Sequence, residues 1–281
     1  MKVRIGCDFT YESDGETPMI FLVRPREQYN HTLLEETRLV EPEIAIHQYF
    51  DHAGNCFWRL TAPEGKLRLF YDAVAQVEPT PDPVLMELPG TLVQELPDEV
   101  LPYILPSRHC QSDLVLAEAW DMFGATTPGW SRVQAICDWI HSNITYGKGS
   151  TSNTSGYEAY QARRGVCRDF AHISIMLCRA MNIPARYVCG YLPDIGVPPD
   201  PAPMDFHAWF EAFVDGEWRT FDARHNIPRT GRVLIGQGRD AVDVAMTTIY
   251  GGSRLLKMRV WADEVPEDYQ LSPRPVELKV S

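Results

Sequence analysis

Seven prolines fall between positions 79 and 106, at 79, 81, 83, 89, 97, 102 and 106. Proline lacks the amide donor that a sheet ladder needs, and its ring clashes inside a helix. No core element can therefore run through this stretch, and the chain on either side must build its core separately. We read roughly 79–110 as a connector crossing the surface of the next domain. The expected division is an antiparallel β domain over residues 1–106, with the connector beginning at about 79, and a second domain over 107–281. At 281 residues, with 44% hydrophobic and 23% charged side chains, the chain has enough apolar material for one large core or two modest ones.

The segment before the prolines reads as strands. Short alternating or apolar runs cover 2–7, 18–22, 31–39, 44–50, 55–62 and 66–75. Turn signals such as Ser13-Asp14-Gly15, Ala53-Gly54-Asn55 and Pro63-Glu64-Gly65 separate them. Six or seven short strands with turns every dozen residues predict an antiparallel sandwich. After about position 112 the pattern becomes helical. Ser112 is expected to cap a helix carrying Leu114, Leu116, Ala117, Trp120 and Phe123. A second helix is expected from near Ser131, a short one over 157–164, and a long one over 167–181. Strands are then expected over 185–191, 206–214 and 217–221, the last two flanking Asp215-Gly216, a two-residue hairpin signal. Helices followed by antiparallel strands make the second part an α+β domain.

Charge and cysteine usage narrow the partners. The net charge is −12, and residues 1–106 hold most of it, with 8 basic against 18 acidic side chains. Binding a phosphate backbone requires clustered Lys and Arg, so no nucleic-acid partner is expected. No apolar run approaches the length of a membrane span, and the N-terminal residues do not resemble a secretory signal. The seven cysteines are odd in number and form no CxxC pair, which fits reduced thiols in the cytoplasm. No cofactor is expected. No metal is expected either, because the cysteines and histidines lack metal-ligand spacing.

One cysteine stands apart. Cys167 follows a glycine turn and opens the long helix, where the partial positive charge of the helix N-terminus favours a thiolate. Arg163, Arg164, Arg168, Arg179 and Arg186 surround it in sequence against Asp169 alone. A nucleophilic thiol needs a base, and the base needs an orienting group. His172 lies five residues along the same helix and points about 140° away from Cys167, so it is not the partner. His207 opens the strand before the Asp215-Gly216 turn. If Val214 pairs with Glu217, position 207 lies opposite 224 and diagonal to 222, so His207 and Asp222 share a face. A three-residue turn would instead set them on opposite faces. His225 has the wrong strand parity to join them. The backbone N–H of Cys167 would point to a developing oxyanion, and a second donor is required that the sequence does not name.

These segments resemble a known family. Arg-Arg-Gly-Val-Cys-Arg-Asp-Phe-Ala-His at 163–172, Asn-Ile-Pro-Ala-Arg-Tyr-Val-Cys-Gly-Tyr at 182–191, His-Ala-Trp-Phe-Glu at 207–211 and Phe-Asp at 221–222 look like the core of the transglutaminase-like superfamily. LVRPREQYNH at 22–31, DHAGN at 51–55, GRVLIGQGRDAVDVA at 231–245 and VWADEV at 260–265 look like its bacterial branch with an N-terminal β domain. The resemblance implies a papain-like core and a Cys-His-Asp triad at Cys167, His207 and Asp222. Many relatives read Asp-Pro-Thr at the acid, whereas this chain reads Asp222-Ala223-Arg224, so the turn after the acid is expected to differ. The family covers transglutamination, peptide hydrolysis, deamidation and glycopeptide amide cleavage, and some members have lost activity. The expected function is thus cysteine-dependent acyl transfer on peptide or protein amides, with hydrolysis favoured over transamidation. No calcium-ligand loop of the D-x-D-x-D-G kind is present to suggest a calcium-activated crosslinker. A noncatalytic binding module that kept the fold, and a metal site using Cys167, are the competing readings.

Overall fold

Buried side chains alternate with more exposed ones along Thr17–Phe21, Cys56–Ala62 and the first part of Gly65–Val77, as half-buried strands require, whereas Lys2–Ser13 buries a continuous run from Ile5 to Phe9. The computed structural model describes residues 1–27, 30–147, 149–266 and 268–269. Before the connector it forms β1 (Lys2–Ser13), β2 (Thr17–Phe21), β3 (His31–Glu41), β4 (His47–Phe50), β5 (Cys56–Ala62) and β6 (Gly65–Val77). In β5, Cys56, Trp58, Leu60 and Ala62 are buried while Arg59 and Thr61 face out. β6 buries Leu67, Leu69, Tyr71 and Ala73 in the same rhythm.

The connector contains only short 3-10 turns, at Val93–Glu95 and Leu101–Ile104. Ser112 does not cap the first helix as expected. It begins a third such turn, Ser112–Leu114, and α1 (Leu116–Phe123) starts later without a side-chain cap. Next come α2 (Trp130–Asn143), β7 (Thr145–Tyr146), α3 (Gly156–Ala162), β8 (Arg164–Gly165) and α4 (Cys167–Ala180). The chain then forms β9 (Ala185–Tyr191), β10 (His207–Val214), β11 (Glu217–Phe221), β12 (Val233–Gly238), β13 (Thr247–Ile249) and β14 (Ser253–Glu264). Strands β11-β10-β9-β12 form one antiparallel sheet, and α4 packs across β10 and β9. Every residue of β9 is buried, which suits a strand covered on both faces.

The sequential division at 106/107 needs revision. β14 pairs along the whole of β1, from Val3 opposite Glu264 to Ser13 opposite Ser253, and β13 pairs with β2. The two front sheets are therefore β14-β1-β6-β3 and β13-β2-β5-β4. The physical reason is the edge. Six front strands alone would leave one side of β1 and of β2 as open donors and acceptors, and the C-terminal strands close both. Residues 270–281 of the expected second domain, and Gln28 and Tyr29 of the front motif, lie outside the described residues.

The β layers and the helical part share one core. Phe9 of β1 stacks on Phe206 at 6.1 Å between ring centres, and Tyr191 of β9 meets the same ring at 5.3 Å. Asn55, fully buried, donates to the Gln237 carbonyl at 2.8 Å and accepts the Gln237 N–H at 2.9 Å. Its side chain thus imitates a strand neighbour for β12. Among the described residues no helix is long and apolar enough to cross a membrane.

Three histidines, His31, His109 and His172, are buried in this framework, and their protonation couples to folding. Burial pushes the His31 imidazole down to about 4. Burial, together with the neighbouring His109, holds His172 well below its usual value. A folded-state value below the unfolded one, about 6.5, means that the unfolded chain binds more protons. The stability these sites contribute is complete above pH 6.5 and declines as pH falls toward 4. For His31 the full loss is about 3 kcal/mol. Thermal unfolding followed between pH 7 and pH 4 should show His31→Leu losing less stability than the unsubstituted protein. Parallel curves for the two would contradict a neutral, buried His31.

Candidate active site

The site forms where α4 begins against the first residues of β10. Val166 is extended at φ −101°, and its N–H donates to Asp169 Oδ2 at 2.8 Å, closing the first turn of α4 from outside. Asp169 is fully buried, and Arg168 meets its other oxygen at 2.9 Å while donating to the Thr151 carbonyl at 2.6 Å. Gly165 is needed beside this cap, because an added Cβ would come within 2.5 Å of the Asp169 Cβ. The parallel pairing of β7 with β8, Tyr146 opposite Gly165, sets the approach to the helix. Cys167 is thereby held as the first helical residue, with its sulfur 4.0 Å from the Phe206 carbonyl oxygen.

β10 positions the histidine. Val214 pairs with Glu217 across a two-residue turn, and Asp215 and Gly216 both have positive φ, 53° and 76°. The even turn length puts His207 and Asp222 on one face, and His207 Nε2 lies 2.8 Å from Asp222 Oδ2. Trp209 stacks near the His207 ring at 6.2 Å. With Nε2 donating to the carboxylate, Nδ1 is left as the acceptor nitrogen.

The carboxylate has more partners than the sequence suggested. Arg232 Nη2 donates to Asp222 Oδ2 at 3.0 Å, and its Nε donates to Asp82 Oδ2 at 2.8 Å. Asp82 belongs to the proline-rich connector, which is thus tied to the site. His225 also joins the group, with Nδ1 3.1 Å from Asp222 Oδ2. The alternation that set it apart holds only inside a strand, and β11 ends at Phe221. Beyond it the backbone turns, Asp222 Oδ1 accepting the N–H of Arg224 at 3.2 Å and of His225 at 3.3 Å. His141 at the end of α2 steadies this turn, its Nδ1 lying 3.2 Å from the carbonyl oxygens of Ala223 and Arg224. Burial alone would raise the Asp222 carboxyl. The charges of His207 and Arg232 and the hydrogen bonds of the two histidines outweigh it and hold the group well below the usual range.

His207, Asp222 and His225 offer ligand atoms within 4.8 Å of one another, a set chemically suited to a divalent ion. Arg232 on the shared oxygen already answers the carboxylate charge. We therefore assign the group to hydrogen bonding.

The thiol does not sit in the cationic field that its sequence neighbours suggested. Arg163 lies over Trp139 and Tyr160, Arg179 donates to buried carbonyls and Arg186 pairs with Glu211. Burial instead pushes the Cys167 thiol up to about 11, against the N–H groups of Ala208 and Arg168, which pull it down. His172, as expected, is not its partner. It is fully buried, stacked on His109 at 5.0 Å, and accepts the Ala241 N–H at Nε2.

Cys167 and His207 open into a cleft of about 460 Å³ whose walls are mainly apolar, among them Tyr187, Phe206, Val242, Met246 and Met258. Asp205 and Arg168 add charge to the lining. Met258 lies on β14, so the returning C-terminal strand supplies part of the wall. Cys167 is half-buried, whereas the other six cysteines are buried. Iodoacetamide at pH 7, followed by peptide mapping, should modify Cys167 at least about tenfold faster than Cys178, whose thiol is fully buried in α4. Equal labelling of the two would contradict this difference in accessibility.

Similar proteins give the same outline. Residues 119–223 match the transglutaminase-like superfamily. The crystal structure of a candidate cysteine protease from Cytophaga hutchinsonii is 38% identical, covers 99% of this chain and 94% of its own, and superposes with a TM-score of 0.86. An uncharacterized protein of Mycobacterium leprae is 29% identical over 265 residues, 90% of this chain and 93% of that protein. Another from Mycobacterium tuberculosis is 29% identical over 249 residues, 77% of this chain and 76% of that protein. With the α+β fold, the β sandwich ahead of it and a likeness that runs the length of the chain, this protein belongs to the transglutaminase-like superfamily.

Proposed function

We propose that this protein is a cysteine-dependent acyl-transfer enzyme that hydrolyses peptide or protein amides, with Cys167 as nucleophile, His207 as base and Asp222 as orienting acid. The observation that carries this reading is the hydrogen bond from His207 Nε2 to a buried, ionised Asp222, beside a helix-opening thiol that faces the same cleft. The carboxylate fixes the tautomer, so Nδ1 takes the Cys167 proton and the resulting imidazolium is stabilised. The thiolate attacks the amide carbonyl carbon. The oxyanion meets the Cys167 N–H, which the first turn of α4 leaves without an intrahelical acceptor. The C–N bond then breaks as His207 protonates the departing amine. Water, giving its proton to His207, attacks the thioester and frees the acid and the thiolate.

The description of the Cytophaga protein as a candidate cysteine protease supports hydrolysis. A mainly apolar cleft of this size suits a peptide side chain. The net charge of −12 disfavours a nucleic-acid substrate. A reducing, cytoplasmic setting is supported by seven cysteines, all of them free.

Because burial raises the lone thiol to about 11, thiolate at neutral pH depends on proton transfer to His207. The unsubstituted protein should therefore alkylate at Cys167 with a rate nearly flat between pH 6.5 and 8.5. His207→Ala should show a rate that climbs about tenfold per pH unit, as a lone high-pKa thiol does. A steep climb in both proteins would remove the ion pair from the reading.

The activity itself is tested with a peptide library and mass spectrometry, with and without a primary amine. Cleaved peptides in both conditions indicate hydrolysis, and amine adducts would indicate transamidation instead. On a substrate so found, Cys167→Ala and His207→Ala should abolish turnover. Asp222→Asn should lower kcat by several orders of magnitude and leave a measurable residue. An Asp222→Asn protein turning over at the unsubstituted rate would overturn the assignment of the acid.

A further inference from the structure

The turn after Asp222 brings in a second imidazole which the acyl-transfer reading does not use. Asp222 Oδ2 receives three side-chain donors, His207 Nε2 at 2.8 Å, Arg232 Nη2 at 3.0 Å and His225 Nδ1 at 3.1 Å. Only a neutral His225 that carries its proton on Nδ1, or an imidazolium, donates in this position. Its ring centre lies 4.7 Å from that of His207, tilted by 44°, while Trp209 stacks near His207 at 6.2 Å. The side chain of His225 is 19% exposed, that of His207 11% and that of Asp222 3%. His225 is thus the outermost of the three, packed over the hydrogen bond that orients the base.

We infer that His225 is a positioning residue, which holds the Asp222 carboxylate on His207 against the competing pull of Arg232 and screens that bond from water. The inference rests on the reading of Cys167 and His207 as the reacting pair. The guanidinium of Arg232 presents a planar fork able to take both oxygens of a carboxylate. A carboxylate free to rotate would turn toward it and leave His207 without a fixed tautomer. His225 opposes this rotation twice, through its ring nitrogen on Oδ2 and its own backbone N–H on Oδ1. Positioning of this kind needs a side-chain donor where Nδ1 stands, and asparagine supplies one at nearly the same distance from the backbone. Leucine fills similar space without donating.

The charged and titratable groups facing His225 are Asp222, His207 and Arg229, with Arg232 bound to the same oxygen. Burial keeps the imidazole neutral to lower pH than usual, the pull of Asp222 notwithstanding. When it does gain a proton, a second cation competes with the His207 imidazolium for one carboxylate. The acid side of Cys167 reactivity should then be steeper than a single ionisation allows.

The test is the pH dependence of Cys167 alkylation by iodoacetamide in the unsubstituted protein, His225→Asn and His225→Leu, with thermal midpoints measured alongside. His225→Leu should alkylate about tenfold more slowly at pH 7, while His225→Asn stays within about threefold of the unsubstituted rate. The acid limb should be steep in the unsubstituted protein and fall to a single ionisation in His225→Asn. Unchanged rates in His225→Leu, or a His225→Asn as slow as His225→Leu at similar thermal midpoints, would overturn the inference. If Cys167 of the unsubstituted protein shows no enhanced reactivity, the proposed function fails and the inference is read from nitrogen NMR of His207. His207 should then hold its Nε2 proton in the unsubstituted protein and in His225→Asn, and become a tautomer mixture in His225→Leu. A His207 tautomer that His225→Leu leaves unchanged would overturn the positioning role directly.

Discussion

A buried carboxylate is costly unless its oxygens are fully engaged. Asp222 is nine-tenths buried and receives five donors, three from side chains and two from the backbone of its own turn. Its side-chain donors come from different places in the fold. His207 comes from β10, Arg232 from the residue just before β12, His225 from the turn after β11, and Asp82 reaches Arg232 from the connector. Removing one partner of such a group leaves an uncompensated charge, a loss of about 3–5 kcal/mol. The geometry around this one acid therefore fixes the hairpin, the connector and the His207 ring relative to one another. The orientation of His207 comes from the same bonds that hold these segments together.

Much of this was legible in the sequence, and what failed did so for identifiable reasons. The front strands were readable because period-2 burial leaves its mark on residues such as Trp58, Leu60, Leu67 and Leu69. The meeting of His207 with Asp222 was readable because Asp215-Gly216 fixes an even turn and hence a parity. His225 was misplaced because that parity was carried beyond Phe221, where the strand stops. Arg232 and Asp82 gave no signal, since a contact between residues 150 positions apart has no period. The arginines near Cys167 misled for another reason. Charge density along the chain is not a field at a point, and Arg163, Arg179 and Arg186 are committed to rings, carbonyls and an acid elsewhere.

Packing between the β sandwich and the helical part explains how a loop residue gains precision. Phe206 immediately precedes His207 and ends a long irregular stretch, a poor place from which to aim a side chain. Its ring is held between Phe9 and Tyr191, and the Tyr191 hydroxyl donates to the Val23 carbonyl at 3.0 Å. Apolar contact with the front sheet thus does for His207 what a second strand residue would do elsewhere. Asn55 makes a matching polar link to β12. The β region is part of the machinery that holds the site, not an appended module.

The pairing of β14 with β1 has a consequence for biosynthesis. During translation β1 leaves the ribosome long before its outer neighbour, Ser13 and its partner Ser253 lying 240 positions apart. Until β14 emerges the front sheet presents an unpaired edge, the situation in which nascent chains associate wrongly. Closing so long a loop also slows the final step, because chain entropy must be overcome before the ladder forms. The cleft wall containing Met258 arrives with that strand. Completion of the sheet and completion of the cleft are the same event, so a chain in which β14 has not yet been made lacks part of the cleft wall beside Cys167.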